Sequence, residues 1–391
     1  MRQRHVWALL ALAALGAGAM MLAHDMRRQT ASTDPDPEAV LGTGAASGYA
    51  RADRPRIFQF PRDFGPHRTF KTEWWYFTGN LYSPHRRRFG YELTLFRFSL
   101  RPHAVRSPSH WSTNQVYVAH FAVTDPADKR FHFFQQGARA AIGLAGAQAA
   151  PFRVWVYNWG VRASAGTGWP WHLHADAKGV SVNLDLTPLM APVLQGNDGL
   201  SRKGPAPGNA SYYYSIPRMD TRGTLSVNGR MFSVMGLSWM DREWSTSALA
   251  SDEVGWDWFG LQLSDGSDLM FYRLRRKNGT TCPFSQGSLV DRQGKVTRLT
   301  AADVRVKVLG SWRSPRGGTY PARWRLFIKP EHLTLEVTPI LADQELNVGV
   351  RYWEGAVNVR GYRAGHPIAG EGYVELTGYA RTSGAQSPHK R

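Results

Sequence analysis

The sequence predicts an all-β protein built from two similar antiparallel barrels, and three observations carry that prediction. From Arg56 onward, short stretches alternate apolar and polar residues with period two, the spacing of strands, and sustained helical spacing is missing beyond the first 23 residues. The stretches are punctuated by Asn228-Gly229, Asp265-Gly266, Asn278-Gly279 and Gln293-Gly294, dipeptides that close antiparallel hairpins. Third, the chain repeats itself in order. WWYFTGNL (74–81) pairs with WDWFGLQL (256–263), each followed by a second strand, YELTLFRF (91–98) and DLMFYRLR (268–275). WHLHADAKGVSVNLDLTPLM (171–190) then pairs with WRLFIKPEHLTLEVTPIL (324–341), and TRGTLSVNG (221–229) with WEGAVNVRG (353–361). The shared order predicts two related units, 56–245 and 246–381, with a tail at 382–391. Many short antiparallel strands per unit favour barrels, which remove exposed edges and at about eight strands can hold one small ligand.

The N-terminus is of another kind. A basic MRQRHVW precedes the apolar ALLALAALGAGAMMLA, so residues 1–23 have the layout of a signal peptide cleaved after Ala19 or Ala23, or of an uncleaved membrane anchor. Residues 24–55, rich in Ala, Gly, Pro, Asp and Ser, read as a flexible linker. The expectation is an exported protein, periplasmic or held at the inner membrane. A single cysteine, Cys282, excludes an intramolecular disulfide.

The formal charge of +18 would suit nucleic acid, but the basic residues are dispersed and only RRR at 86–88 is tight. With no helix-turn-helix, zinc-finger or RNA-binding signature, no nucleic-acid partner is expected. Fifteen tryptophans instead indicate a large aromatic core or an apolar ligand cavity. No G-x-S-x-G, P-loop or dinucleotide fingerprint is present, so no cofactor is implied. His172 and His174 share a strand face but lack a third ligand at recognisable spacing, so no metal is expected.

Two stretches could carry chemistry. In TEWWYFTGN (72–80), alternation sends Glu73, Trp75 and Phe77 to one face and Trp74, Tyr76 and Thr78 to the other. A carboxylate among large aromatics is either a buried strut or an acid whose pKa is raised for proton transfer. In GLSWMDREWS (236–245), Trp239, Asp241 and Glu243 share a face, so two carboxylates and an indole point the same way. Asp257 in GWDWF and Glu354 in YWEG repeat the theme in the second unit, which favours an architectural role for the pattern.

These residues resemble a known family. FPRDFGPHRTFKTEWWYFTGNL (60–81), HFAVTD (120–125), GLSWMDREWS, GWDWFGLQLSDGSDLMFYRLR (255–275) and YWEGAVNVRG (352–361) are similar to the AttH and carotenoid 1,2-hydratase-like proteins. The resemblance implies two tandem lipocalin-like β-barrel domains and a lipophilic, isoprenoid-like ligand. It also implies cofactor-free hydration or isomerisation by acid catalysis, a hydro-lyase activity. Such a reaction needs a protonated acid, a surface tolerant of a carbocation and a delivered water. The hydratase branch has Tyr-x-Asp at SWMD, which implies Asp241 as acid, with Glu243 beside it and Trp239 in the tyrosine's place as cation stabiliser. Where that branch has His-x-Trp, this chain has SYYYS (211–215). Glu73, Trp75, Tyr76, His120, Tyr212, Tyr214, Trp258 and Trp353 are the expected ligand-binding residues. The alternative is a non-catalytic periplasmic lipophile carrier, or a scaffold, serving an ABC-type inner-membrane transporter.

Overall fold

A computed structural model describes residues 47–380 apart from 104–107, 167 and 248. The leader at 1–23, most of the linker and the tail therefore lie outside the described residues, which contain no α-helix and only two 3-10 turns, Arg62–Phe64 and Lys329–Glu331.

In the first unit, β1 (Thr72–Tyr82), β2 (Arg88–Ser99), β3 (Gln115–Asp125) and β4 (Arg130–Arg139) form an antiparallel meander. A second meander runs through β5 (Ala145–Ala149), β6 (Phe152–Val156), β7 (Trp159–Ala163), β8 (Trp171–Ala177) and β9 (Val180–Pro188). The short β10 (Val193–Leu194) and β11 (Leu200–Arg202) pair with β12 (Ala210–Val227). Strand β12 and its partner β13 (Arg230–Ser247) join the meanders, β12 pairing with β9 and β13 with β1. The hairpin between them is the two-residue turn read from the sequence, with φ of 51° at Asn228 and 73° at Gly229, the positive values a type I′ turn demands.

The second unit repeats the plan with fewer strands. Its meander is β14 (Glu253–Leu263), β15 (Asp268–Arg276), β16 (Gln286–Val290) and β17 (Val296–Thr300). Strands β18 (Val304–Arg313), β19 (Thr319–Ile328) and β20 (Leu333–Pro339) follow, then β21 (Glu345–Asn347), β22 (Arg351–Arg363) and β23 (His366–Leu376). The order β17-β16-β15-β14-β23-β22-β20-β19-β18 matches β4-β3-β2-β1-β13-β12-β9-β8-β7 of the first sheet, strand for strand. Each repeated segment of the sequence falls on equivalent strands.

Each sheet curls round one apolar core. Trp75, Phe77, Leu93, Phe121, Trp171, Met240 and Trp244 lie in the first, and Phe259, Leu261, Trp324, Trp353 and Val374 in the second. Side chains fill both interiors. Part of the outward faces of β1, β2, β12 and β13 is withdrawn from solvent, because it packs on that of β14, β15, β22 and β23, while the hairpin ends of β12 and β13 stay exposed. Asn80 Nδ2 donates to the Gly372 carbonyl at 3.2 Å, and Gln262 Nε2 donates to the carbonyls of Pro217 (2.8 Å) and Ser238 (3.1 Å). Pro217 sits where β12 slips register between Ile216 and Met219, the kind of bulge that tolerates a residue with no N–H to give. The basic cluster at 86–88 is partly spent here: Arg88 donates to the Val357 carbonyl at 3.0 Å, while Arg87 pairs with Asp125 and with Asp128 at 2.8 Å.

Glu73 closes one end of the first barrel. It is fully buried, as are Arg97 and Arg242, which both pair with it, and it accepts the His67 backbone N–H at 2.9 Å. Burial pushes its carboxyl up, but Arg97 and Arg242, with help from His67, outweigh that and hold it well below the usual carboxylate range. Arg97 also donates to the Phe70 carbonyl (2.7 Å) and Arg242 to that of Gly65 (2.7 Å), so the strut ties the segment before β1 to β1, β2 and β13. Arg242 lies 3.9 Å over the Trp75 ring, and His67 stacks on Trp244 with centroids 3.6 Å apart. Asp257 in the second unit plays the same part with Arg273, Arg275 (2.9 Å) and the Tyr379 hydroxyl (2.9 Å). Replacing Glu73 by Gln leaves two buried guanidinium groups without a counter-charge. We expect a loss of roughly 3–5 kcal/mol, read as a fall in the urea midpoint; a midpoint within error of wild type would contradict the strut.

Candidate functional site

Because the barrels are full, the cavity that matters lies between them. It is a slot of about 80 Å³, smaller than the several hundred Å³ typical of sites for drug-sized ligands. The first unit contributes Trp74, Tyr76, Thr94, Phe96, Lys203, Tyr213, Asp241 and Glu243. From the second come Trp256, Trp258, Tyr272, Leu274, Tyr352, Glu354 and Glu375, and Leu249 of the connecting segment completes the wall. All the strand residues among them stand on outward faces, where alternation puts every second residue of β1, β2, β12, β13, β14, β15, β22 and β23.

Asp241 is the carboxyl of the slot with the most hydrogen-bond donors. Trp239 Nε1 donates to Oδ1 at 2.7 Å and Ser215 Oγ to the same oxygen at 2.6 Å, while the Tyr213 hydroxyl donates to Oδ2 at 2.6 Å. Trp258 Nε1, from the second unit, donates in turn to the Tyr213 oxygen at 3.0 Å. Burial pushes Asp241 up to about 7, against the downward pull of Ser215, Tyr213 and Trp239. Glu243 pairs with the buried Lys203 at 3.1 Å, and that ammonium lies 3.9 Å over the Tyr272 ring.

The second unit adds acids. Glu375 accepts Trp256 Nε1 at 3.0 Å, and burial pushes it up to about 7. Glu354 accepts the Tyr76 hydroxyl at 2.6 Å and is pushed well above the usual range by burial first, then by Glu375 and Glu92. Glu92, buried and bonded by Thr94, is raised by burial in the same way. The result is a buried aromatic slot in which Asp241, Glu354 and Glu375 are all pushed upward by burial, beside rings able to face a developing positive charge.

Of the residues expected from the sequence, Tyr76, Asp241, Glu243 and Trp258 line this slot. Trp239 stands behind Asp241 and holds it, edge-on to Trp258 with centroids 5.8 Å apart, so the rings able to face a cation are Trp74, Phe96, Trp256 and Trp258 instead. Glu73 and Trp75 are on the opposite face of β1, inside the first barrel. Tyr212 and Tyr214 also point into that barrel, giving their hydroxyls to the carbonyls of Arg54 (2.8 Å) and Asp63 (3.1 Å), and Tyr213 between them reaches the slot. Trp353 fills the second barrel and donates to the Ala342 carbonyl at 2.9 Å, whereas its neighbours Tyr352 and Glu354 line the slot. His120 faces the second unit but lies off the slot, bonded to the Tyr352 hydroxyl at 2.8 Å and Gln135 at 3.1 Å, and burial lowers it to about 4. His172 and His174 are on the outer face of β8, where His172 pairs with Asp185 and Ser164 and His174 with Asn183 and Asp176.

Sequence reasoning passed over Tyr213, Ser215, Lys203, Glu92 and Glu375, and treated Glu354 as architecture. A signal was present. Tyr373 and Glu375 alternate with Val374 and Leu376, and an acid-aromatic face on a barrel strand points to a covered surface.

The sequence matches the AttH-like family model over residues 51–379. A protein assigned as AttH from Nitrosomonas europaea is 35% identical, with a TM-score of 0.75 over 85% of this chain and 100% of its own. Kievitone hydratase from Nectria haematococca is 15% identical, with a TM-score of 0.65 over 85% of this chain and 96% of its own. CghA is 14% identical, with a TM-score of 0.51 over 86% and 96%. The last two show a shared fold alone. Among curated proteins, none is significantly similar in sequence.

The raised carboxyls have a consequence for stability. Asp241 ordinarily titrates at 3.8 and in the folded chain at about 7, so between those values the folded state holds a proton that the unfolded state has released. That contribution is full below about pH 4 and is lost as pH rises to about 7. Asp241→Asn removes it. The urea-unfolding free energy of wild type should fall more steeply than that of the variant from about pH 4 to about pH 7, by on the order of a few kcal/mol in all; parallel profiles would contradict the raised Asp241.

Proposed function

We propose, taking as premise that the chain belongs to the AttH-like family, that it takes the slender end of a lipophilic molecule into the slot between its barrels and moves a proton on it without a cofactor. Hydration of an isolated carbon–carbon double bond is the reaction the site suits best. Adding water requires one proton to reach carbon and another to leave the incoming water, and Asp241 handles one of these transfers. The observation that carries the reading is Asp241 itself: buried, fixed by three donors at 2.6–2.7 Å, and titrating at about 7 in a wall of indole and phenol rings. Trp74, Trp256 and Trp258 would present π-faces to the cation formed when the double bond is protonated. That a protein of this fold is named a hydratase supports the reaction class, and the leader-like residues 1–23 support an exported site of action.

The ligand is an isoprenoid-like hydrocarbon in this reading, because the slot is narrow and aromatic. Protein purified from the exported compartment should release an apolar molecule on organic extraction, detected by native mass spectrometry, and Trp258→Ala should reduce the occupied fraction at least severalfold. A protein that arrives empty and stays empty against isoprenoids and fatty acids would sink the proposal. A bound molecule recovered unchanged after incubation in isotopically labelled water would make the protein a carrier.

A further inference from the structure

Asp241 accounts for one proton of the two, and the second unit offers the group for the other. Glu354 is buried on β22 with only its Oε1 engaged, by Tyr76; its Oε2 meets no hydrogen-bond partner among the described residues. The titratable groups that act on it are Glu375 of β23, Glu92 of β2 and the hydroxyls of Tyr76, Tyr352 and Tyr373, none of them cationic. Lys203, the ammonium of the slot, is taken by Glu243. An ionised Glu354 would leave a bare anionic oxygen in an apolar wall among other acids, so the proton belongs on Oε2. Asp241 is the opposite case, since both its oxygens already accept donors, which suits the anion.

We propose that Glu354 is the second catalytic carboxyl of this site, giving the proton that starts the reaction while Asp241 takes the one that ends it. The assignment rests on the hydration reading above. The Oε2–H bond breaks and the π pair of the alkene forms the new C–H bond, leaving a cation on the adjacent carbon. Water attacks that carbon to form the C–O bond, and its surplus proton passes to the Asp241 carboxylate. Alkene and water become an alcohol, and the proton returns from Asp241 to Glu354 through solvent. Neither unit alone contains both carboxyls.

The full chain and its Glu354→Gln variant are compared by infrared spectroscopy at about pH 7, where buried carboxyls that keep a proton are visible. Gln has the shape of a neutral acid, so the variant should fold and lose one protonated-carboxyl C=O band; survival of every band overturns the proposal. Tyr76→Phe, which removes the Oε1 donor, should shift the same band, and an unshifted band overturns it as well. Deuterium uptake from D2O into squalene then reads the chemistry. Uptake by wild type should fall about a hundredfold in Glu354→Gln. Undiminished uptake in the variant defeats the Glu354 assignment while leaving the hydration reading intact. No uptake even by wild type defeats the hydration reading, and with it any catalytic part for Glu354.

Discussion

Everything in this molecule follows from the filling of both barrels. A β-strand has two faces, and in most barrels one is packed while the other meets water. Here the inward faces of both sheets are packed with aromatic and branched side chains. Eight strands also have part of their outward faces covered, because the two barrels dock on each other. Among the described residues, the seam is a buried concavity where several carboxyls meet aromatic rings. Its chemistry is set by a second consequence of docking: Asp241, Glu354 and Glu375, which would be ordinary carboxyls on a solvated face, are pushed upward by burial.

Two groups of buried acids differ by the charges around them. Glu73 and Asp257 are each held between two guanidinium groups and serve as closures at the ends of the barrels. Asp241, Glu354 and Glu375 have hydroxyl and indole donors instead, which orient a carboxyl without forcing it to ionise. The side chains are the same, and two flanking guanidinium groups separate the closures of the barrels from the carboxyls that burial raises at the seam.

How far this was legible in the sequence depends on the length scale of each feature. The duplication was readable, because each barrel must repeat its inward pattern strand by strand, and the strand orders of the two sheets agree with the repeats. The hairpin at Asn228-Gly229 was readable from turn chemistry alone. The strut at Glu73 was one of two stated possibilities, and the arginines that decide it are distant in sequence. Which face of a strand is inward could not be read where both faces carry aromatics. In SYYYS the three tyrosines are equivalent as letters, yet Tyr212 and Tyr214 enter the core while Tyr213 meets Asp241. The same parity error placed Trp353 in the slot and left Glu354 beside it as architecture. Contacts across the seam, such as Tyr76 with Glu354, join residues whose proximity depends on how two finished barrels meet, and no local pattern encodes that.

A cavity walled by two units divides the labour of the chain. Either barrel alone has an outward face but nothing to cover it, so its acids would be solvated there. The second unit supplies the cover and further carboxyls together, and the interior of each barrel is left to hold the fold. Asp241 with its ring of donors and the sparsely bonded Glu354 stand on different sheets, so a change at either need not pass through a hydrophobic core.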